Sequence, residues 1–276
     1  MKEKKIIFEN ITDLDLAQTL DCGQAFRWTE NPDGTFCGIV KKTSVKAELK
    51  DKTLTLYGAD EKERDFFRAY FDLDYDYAKA KAFLSGTHLV MSDAAKYAGG
   101  IRILHQDSFE ALISFIISQN NNISRIKGII GRLCENFGEK LGDGNDASYA
   151  FPKVEVLASL SREDLAPIRA GFRDRYIIDA AKKVESGDID LEKTAKMDYA
   201  DAQKELMKIK GVGVKVADCV LLYGMHRLES FPKDVWMKRA MSILFSDMDS
   251  AVFGEYAGIA QQYIFHYSRM HPELFK

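Results

Sequence analysis

A lysine stands just after a glycine-rich turn in residues 206–219, which read LMKIKGVGVKVADC. Gly211 and Gly213 interrupt one helical pattern, and Lys215 falls in the first turn of the next helix, where the helix dipole disfavours a cation. That field, together with partial burial, favours the neutral amine that a nucleophile requires. Cys219 follows four residues later and so shares a helix face with Lys215. The pattern predicts an attacking amine that faces a cavity.

The glycine turn is also suited to phosphate binding. The N–H groups that open the second helix have no partner within it and lie at its positive end, and glycines let a ligand approach the backbone closely. A packed joint between two helices would show the same Gly-x-Gly pattern, which alone is a weak signal. The lysine at position 215 favours the functional interpretation, because a purely structural helix start would carry Asp or Ser there.

A carboxylate follows in residues 231–236, which read FPKDVW. Asp234 stands where a helix N-cap belongs, and capping alone would explain it. An acid held rigidly at a helix start can also stabilise a positive charge opposite it. Because removal of a base from deoxyribose builds positive charge on the sugar, an amine at Lys215 and an acid at Asp234 suit that chemistry.

These residues need a scaffold with two kinds of element. Between residues 6 and 57, apolar and polar residues alternate between turn sequences, which predicts an antiparallel sheet with one buried face. Beyond Gly58 the apolar spacing becomes helical, with a central helix at 109–117 and a loop at 142–148. The sequence predicts an α+β, mainly α protein. An antiparallel sheet domain with flanking helices covers 1–98, a helical domain over 99–250 holds a helix-hairpin-helix at 206–223, and a last helix covers 251–276.

Composition limits the classes of protein that fit. The chain has 276 residues, 46% of them hydrophobic and 29% charged, and its net charge of -3 weakly disfavours nucleic acid as a partner. No apolar run could cross a bilayer, and residues 1–5 carry charge without a following apolar stretch, so we expect neither a membrane span nor a secretion signal. The cysteines are too scattered for a zinc or iron–sulfur site, which predicts reduced thiols and a cytoplasmic protein, nucleoid-associated if prokaryotic; they are Cys22, Cys37, Cys134 and Cys219.

Together these motifs resemble a known family. GVGVKVADC followed by FPKDV is similar to the signature of the helix-hairpin-helix, Gly/Pro-Asp superfamily of DNA glycosylases. Three further blocks resemble its 8-oxoguanine DNA glycosylase family: CGQAFRW at 22–28, FIISQNNNISRI at 115–126 and AGIAQQYIF at 257–265. The absence of a cysteine cluster separates the chain from the endonuclease III branch. The resemblance implies the family's fold and base excision from DNA.

The resemblance assigns the chemistry to two residues. Lys215 matches the family's nucleophile, which attacks the deoxyribose C1′ and forms a Schiff base. Strand cleavage by β-elimination then follows, so an abasic-site lyase activity is implied as well. Asp234 matches the catalytic aspartate.

A base pocket is implied by four further residues. Gly23 matches the glycine whose carbonyl accepts the N7 hydrogen that 8-oxoguanine has and guanine lacks. Cys219 and Phe265 match the two walls that sandwich the flipped base, and Gln261 matches a contact to its Watson–Crick edge.

DNA contacts are implied around this pocket. Asn120, Arg125 and Arg173 match residues that fill the vacated space and bind the unpaired cytosine, and Gly211 and Gly213 match the backbone clamp. The family also holds a monovalent or divalent cation with hairpin carbonyls, which here would be those of Met207, Ile209 and Val212.

Two positions depart from the family pattern. Trp236 stands where histidine often contacts a phosphate, and Phe172 stands where tyrosine is common. Indole can donate one hydrogen bond but carries no charge, so the DNA contact at Trp236 is expected to differ. Neither departure touches the predicted chemistry.

Two other functions stay open from the sequence. A related glycosylase that removes alkylated bases by water attack needs no lysine at position 215, and a non-catalytic DNA-binding module needs only the glycine turn. The leading prediction is an enzyme that requires no cofactor and acts as a monomer on double-stranded DNA containing 8-oxoguanine opposite cytosine.

Overall fold

The computed structural model describes residues 4–142, 148–246 and 248–275. Two clusters of buried side chains organise them, one under an N-terminal sheet and a larger one among the helices. The predicted α+β, mainly α architecture is confirmed. No helix in these three ranges is both long and apolar enough to span a membrane.

The N-terminal sheet has five antiparallel strands in the order β1-β5-β4-β3-β2. The predicted alternation holds on β4, where Val45 and Ala47 are buried, and an uninterrupted meander joins β2 to β5. The first strand pairs with the last, and helix α1 lies between β1 and β2 in the chain. The elements are β1 (Lys5–Phe8), α1 (Leu16–Leu20), β2 (Trp28–Glu30), β3 (Phe36–Val40), β4 (Thr43–Lys50) and β5 (Thr53–Tyr57).

Helices dominate the rest of the chain. They are α2 (Arg64–Tyr70), α3 (Tyr77–Ser85), α4 (Leu89–Tyr97), α5 (Ser108–Ser118), α6 (Ile123–Phe137), α7 (Val154–Ser159), α8 (Asp174–Glu185), α9 (Leu191–Thr194), α10 (Tyr199–Leu206), α11 (Val214–Gly224), α12 (Val235–Leu244) and α13 (Ala257–Met270). A two-residue ladder of β6 (Lys140–Leu141) and β7 (Ser148–Tyr149) flanks the predicted loop at 142–148, of which residues 143–147 lie outside the described part.

Helices α5 and α11 form the centre of the helical core. Gly224 lets them approach closely, because a Cβ at this position would lie 2.8 Å from Ala111 Cβ. The Ser108 hydroxyl also donates to the Gly224 carbonyl at 2.6 Å. This contact fixes the register of the two helices, so that the C-terminal end of α5 meets the N-terminal end of α11.

Buried polar side chains join the sheet domain to the helices. Gln24, which is fully buried, donates to the Arg102 carbonyl at 2.8 Å and accepts from the Leu104 N–H at 3.0 Å. Arg102 in turn donates to the carbonyls of Asp72 and Thr12. Both α3 and α4 bury their apolar faces in the helical cluster, although they precede residue 98. The predicted domain boundaries at 98 and 250 stay a prediction.

Candidate active site

Lys215 lies in the first turn of α11 and is half-buried. Its Nζ donates to the Ser118 hydroxyl at 3.4 Å and lies 5.6 Å from the centroid of the Phe115 ring. Both partners belong to the last turn and a half of α5. The amine is therefore positioned by the packing of α5 against α11 and lies at a cavity wall rather than in free solvent.

Asp234 lines the same cavity as Lys215 and is also half-buried. Its Oδ1 accepts a hydrogen bond from the Met237 N–H at 2.7 Å, which caps α12 as the sequence predicts. The cap fixes the carboxylate at the helix start. The acid and the amine therefore reach one space from two different helix ends.

The shared cavity has a volume of about 990 Å³ and a positive lining. Its ionisable side chains are the cations of Arg125, Lys233 and Lys238, the amine of Lys215 and the single carboxylate of Asp234. The net charge of -3 weakly disfavoured nucleic acid as a partner. The local excess of positive charge outweighs that argument, because a polyanion responds to the nearby field more than to distant charges.

The two glycines of the hairpin differ in their surroundings. Gly211 has φ +78°, and a Cβ there would lie 2.4 Å from the ring of Tyr176, so any side chain would collide with that ring. Gly213 is exposed, and nothing lies within 4 Å of the position a Cβ would take. It begins α11 without a side-chain cap, so the first N–H groups of the helix are accessible to an anion.

The second helix of the hairpin is anchored through Asp218, a buried acid. Tyr199 and Gln203, both on α10, donate to its Oδ1 at 2.7 and 2.6 Å. Burial raises the pKa of Asp218, although these two hydrogen bonds act to lower it. The hairpin is thus held from inside by a satisfied polar group, which leaves its glycine turn exposed.

The predicted pocket residues occupy two neighbouring places. Gly23, at φ +91°, lies against Phe265: a Cβ on it would be 3.8 Å from the Phe265 ring and 3.4 Å from Ile123 Cδ1. Cys219 is 3% exposed, and burial raises the pKa of its thiol to about 11, so it offers a neutral, apolar surface. This surface suits the face of an aromatic base.

Gln261 has its amide orientation fixed by its neighbours. Its Oε1 accepts hydrogen bonds from the Tyr223 hydroxyl and from Gln262 Nε2, each at 3.1 Å. The Tyr223 ring stacks on Phe115 at 5.1 Å, and Phe115 lies under Lys215. A continuous row of contacts therefore connects the amine to the amide.

The residues that are predicted to bind the unpaired base differ in their exposure. Asn120 and Arg125 are exposed at the cavity, and Asn120 adopts a left-handed conformation with φ +49°. Arg173 is only 3% exposed and donates to the backbone carbonyls of Gln119 at 2.8 Å, Ala170 at 3.0 Å and Asn120 at 3.2 Å. Burial lowers the pKa of Arg173, and nearby Arg125 adds to the effect. Arg173 thus holds the turn that presents Asn120.

The two departures from the family pattern also have distinct environments. The Trp236 indole N–H donates to the Ser268 hydroxyl at 2.9 Å, and its ring packs on Phe275 with centroids 5.0 Å apart. The N–H is therefore engaged within the protein. Phe172 is 46% exposed and contacts Tyr176 edge-on, so it presents an apolar surface beside the cavity.

Several residues at the site were not predicted from the sequence. Ser118 and Phe115 contact the amine, Tyr223 orients Gln261, and Lys233 and Lys238 add positive charge. Phe115 and Ser118 are three residues apart on one helix, which is the only local signal that they share a face. Their contact with Lys215 depends on tertiary packing.

Comparison with protein families agrees with this geometry. Residues 113–251 match the HhH-GPD superfamily of base excision DNA repair proteins. Residues 6–112 match the N-terminal domain of 8-oxoguanine DNA glycosylase. The chain belongs to the 8-oxoguanine DNA glycosylase family within that superfamily.

Individual relatives agree over most of the chain. An N-glycosylase/DNA lyase of Saccharomyces cerevisiae is 33% identical over 83% of this chain and 68% of its own length. The structure of MBOgg1 in complex with a low-affinity DNA ligand superposes with a TM-score of 0.94 at 40% identity, over 99% of this chain and 98% of that one. The Clostridium acetobutylicum 8-oxoguanine glycosylase/lyase, in complex with double-stranded DNA containing cytosine opposite 8-oxoG, gives a TM-score of 0.92 at 35% identity, over 99% and 97% of the two chains.

Proposed function

We propose that this chain excises 8-oxoguanine from double-stranded DNA and then cleaves the strand at the abasic site. The observation that carries the proposal is the position of the Lys215 amine, which lies at the wall of a positively lined cavity together with the Asp234 carboxylate. A non-catalytic DNA-binding module would have no use for this pair. A glycosylase that activates water would not need the amine.

The reaction begins with attack of neutral Lys215 Nζ on C1′ of the flipped nucleotide. The C1′–N9 bond breaks, the base leaves with a proton, and the amine is joined to the sugar carbon. Asp234 stabilises the positive charge that develops on the sugar ring as this bond breaks. Opening of the sugar ring gives a Schiff base, β-elimination expels the 3′ phosphate, and hydrolysis of the imine frees the lysine.

The pocket residues supply recognition of the oxidised base. The Gly23 carbonyl accepts the N7 hydrogen of 8-oxoguanine, whereas the N7 lone pair of guanine would be repelled. Cys219 and Phe265 stack on the two faces of the base. Gln261 meets the Watson–Crick edge with its amide, whose Oε1 is already held by Tyr223.

The remaining residues at the cavity and the hairpin bind the DNA duplex. Asn120 fills the space left by the flipped base, and Arg125 contacts the opposite cytosine, while Arg173 supports this contact through the turn that it holds. Gly213 offers backbone N–H groups to a phosphate. Trp236 contributes through its ring, since its N–H is engaged by Ser268.

A cation at the hairpin is part of the proposal, although no chemical step uses it. Met207, Ile209 and Val212 would hold it with backbone carbonyls, which are neutral, hard ligands that fit a potassium- or calcium-like ion better than a transition metal. Gly211, with φ +78°, lies in the turn between Ile209 and Val212. Such an ion would add positive charge beside the DNA phosphate. The chemistry itself requires no cofactor and no iron–sulfur cluster.

The cellular setting follows from the substrate and the thiols. A DNA-repair glycosylase acts on nucleic acid, and all four cysteines are free. We place the protein in the cytoplasm, associated with the nucleoid if the source is prokaryotic, and expect it to act as a monomer.

Borohydride trapping tests the proposal. The full chain is incubated with a duplex that carries one 8-oxoguanine opposite cytosine, and borohydride reduces any imine to a stable protein–DNA adduct. We expect an adduct with the unmodified chain and none with Lys215→Gln. Lys204→Gln is the matched control, because it removes an exposed ammonium of the neighbouring helix α10.

The outcomes separate the competing functions. A full-strength adduct from Lys215→Gln would refute the assignment of the nucleophile. Release of the base without any adduct would favour the water-activating glycosylase. Neither base release nor nicking at stoichiometric protein would favour the DNA-binding module.

A further inference from the structure

Three ionisable side chains meet at a point that the proposed reaction does not use. Asp72 follows α2, His105 precedes α5 and His226 follows α11. Their ligand atoms all lie within 4.8 Å of one another. Since Lys215 is at the opposite end of α11, the cluster is separated from the amine by about 15 Å of helix.

Two distances from Asp72 to the histidines are close to those between neighbouring ligand atoms of one ion. His105 Nε2 lies 3.2 Å from Asp72 Oδ1, and His226 Nε2 lies 3.3 Å from Asp72 Oδ2. Ligand atoms bound at about 2.0–2.1 Å in a tetrahedral zinc site are separated by similar distances. Two imidazoles and one carboxylate are also a ligand set that Zn²⁺ accepts.

Two further features mark the cluster. His226 Nε2 is buried, and its contact with Asp72 Oδ2 at 3.3 Å is an ion-pair distance rather than a well-formed hydrogen bond. The backbone of His226 is in the left-handed region at φ +51°, as is that of Asp72 at φ +51°. Asp and His adopt this region more often than most residues, and such conformations also occur at functional sites.

The imidazole rings stack at a centroid distance of 3.4 Å and an angle of 21°. Because the rings are nearly parallel, the two Nε2 lone pairs meet on one ion only after a ring turns about its Cβ–Cγ bond. The side chain of His105 is 38% exposed and has room to turn.

The surroundings complete the site. The Tyr77 hydroxyl donates to Asp72 Oδ2 at 2.8 Å, which orients the carboxylate as outer hydrogen bonds do in metal sites. A cavity of about 330 Å³ adjoins both histidines and leaves room for water as a fourth ligand. Glu192 and Lys196 also line that cavity.

We propose that Asp72, His105 and His226 bind one divalent transition-metal ion, of which Zn²⁺ is the best match. The ion links the turn after α2 to the start of α5 and the end of α11. It therefore stabilises the joint between the sheet domain and the two helices that position the amine. It takes no part in base excision, and the proposal does not rest on that activity.

Metal binding to the full chain tests this proposal. Protein stripped with EDTA is titrated with Zn²⁺ by calorimetry and with Co²⁺ by visible absorption. We expect one ion per chain, Co²⁺ bands of a nitrogen- and oxygen-ligated ion, and a rise in Tm of about 5 °C at a hundredfold excess of Zn²⁺ over Kd. His105→Ala and His226→Gln should each weaken binding at least tenfold.

A matched control is His271→Ala, which removes an imidazole outside the cluster, near the end of the sequence, that pairs with Glu273. It should bind as the unmodified chain does. If the stripped protein binds neither ion, or if binding survives both His105→Ala and His226→Gln, the proposal is refuted. Asp72→Asn keeps the shape of the side chain, so its loss of affinity would report on the ligand charge rather than on folding.

Discussion

A buried acid at the start of α5 gives the protein a pH dependence that can be calculated. Glu110 lies 3.5 Å from Arg27, with side-chain exposures of 18% and 8%. Burial raises the pKa of Glu110 from 4.5 to about 7, although the charge of Arg27 acts to lower it. The folded protein therefore holds this proton at pH values where the unfolded chain has lost it.

The sign of the effect follows from proton binding. Between about pH 4.5 and pH 7 the folded state binds more protons at Glu110 than the unfolded state, so the free energy of unfolding falls as the pH rises. Integration between pH 5 and pH 8 gives a loss of about 2.5 kcal/mol from this group. Glu110→Gln keeps the size of the side chain but cannot titrate, and it should lack this loss.

The assay is urea unfolding of both chains at several pH values between 5 and 8. We expect the difference in unfolding free energy, unmodified chain minus Glu110→Gln, to fall by about 2.5 kcal/mol across the range, since other titrating groups cancel in the comparison. Glu135→Gln, an exposed acid on α6, is the control and should leave the pH profile unchanged. Parallel profiles for the unmodified chain and Glu110→Gln would refute the reasoning.

Three further substitutions test the site. Gly211→Ala should lower the free energy of unfolding, measured in urea, by about 3 kcal/mol, because its Cβ meets an aromatic ring. Gly34 has the same φ of +78° but lies in open space, so Gly34→Ala should lower the free energy of unfolding by about 1 kcal/mol. Equal losses would show that the ring contact is unimportant. Gly23→Ala places a methyl group beside Phe265 and should slow 8-oxoguanine excision about tenfold or more in single-turnover assays. Cleavage at an abasic site should stay within about twofold of the unmodified chain. Equal effects on both reactions would place Gly23 outside the base pocket. Trp236→Phe removes the bond to Ser268 and should cost about 1 kcal/mol of stability without changing the salt dependence of DNA affinity. A smaller salt slope would mean that the indole contacts a phosphate.

Local sequence predicted the elements that depend on short-range physics. The alternation of β4, the cap at Asp234 and the glycine turn before Lys215 each follow from a few neighbouring residues. The resemblance to a family added the pocket residues, and Gly23 and Phe265 do lie together. The local predictions needed no knowledge of how distant segments meet, whereas the pocket residues came from the family pattern.

Other features depend on contacts between distant segments and could not be predicted locally. Ser118 reaches Lys215 across 97 positions of sequence, and only the packing of α5 on α11 sets that register. From its local sequence, Arg173 would be expected on the surface. Backbone carbonyls of the turn at 119–120 accept hydrogen bonds from its guanidinium, which allows its burial. The pairing of Trp236 with Ser268 is similarly non-local.

The electrostatics of the cavity depend on helix ends as much as on side chains. The N-cap residues of helices α6, α11 and α12 all line the same cavity; they are Asn122, Gly213 and Asp234. Each helix start carries the equivalent of about half a positive charge, which is felt only within the first turn. Three such ends, with the cations of Arg125, Lys233 and Lys238 in the lining, concentrate positive potential on one opening. The local field at this opening can therefore attract a polyanion although the chain has a net charge of -3, because salt screens the field of more distant acids.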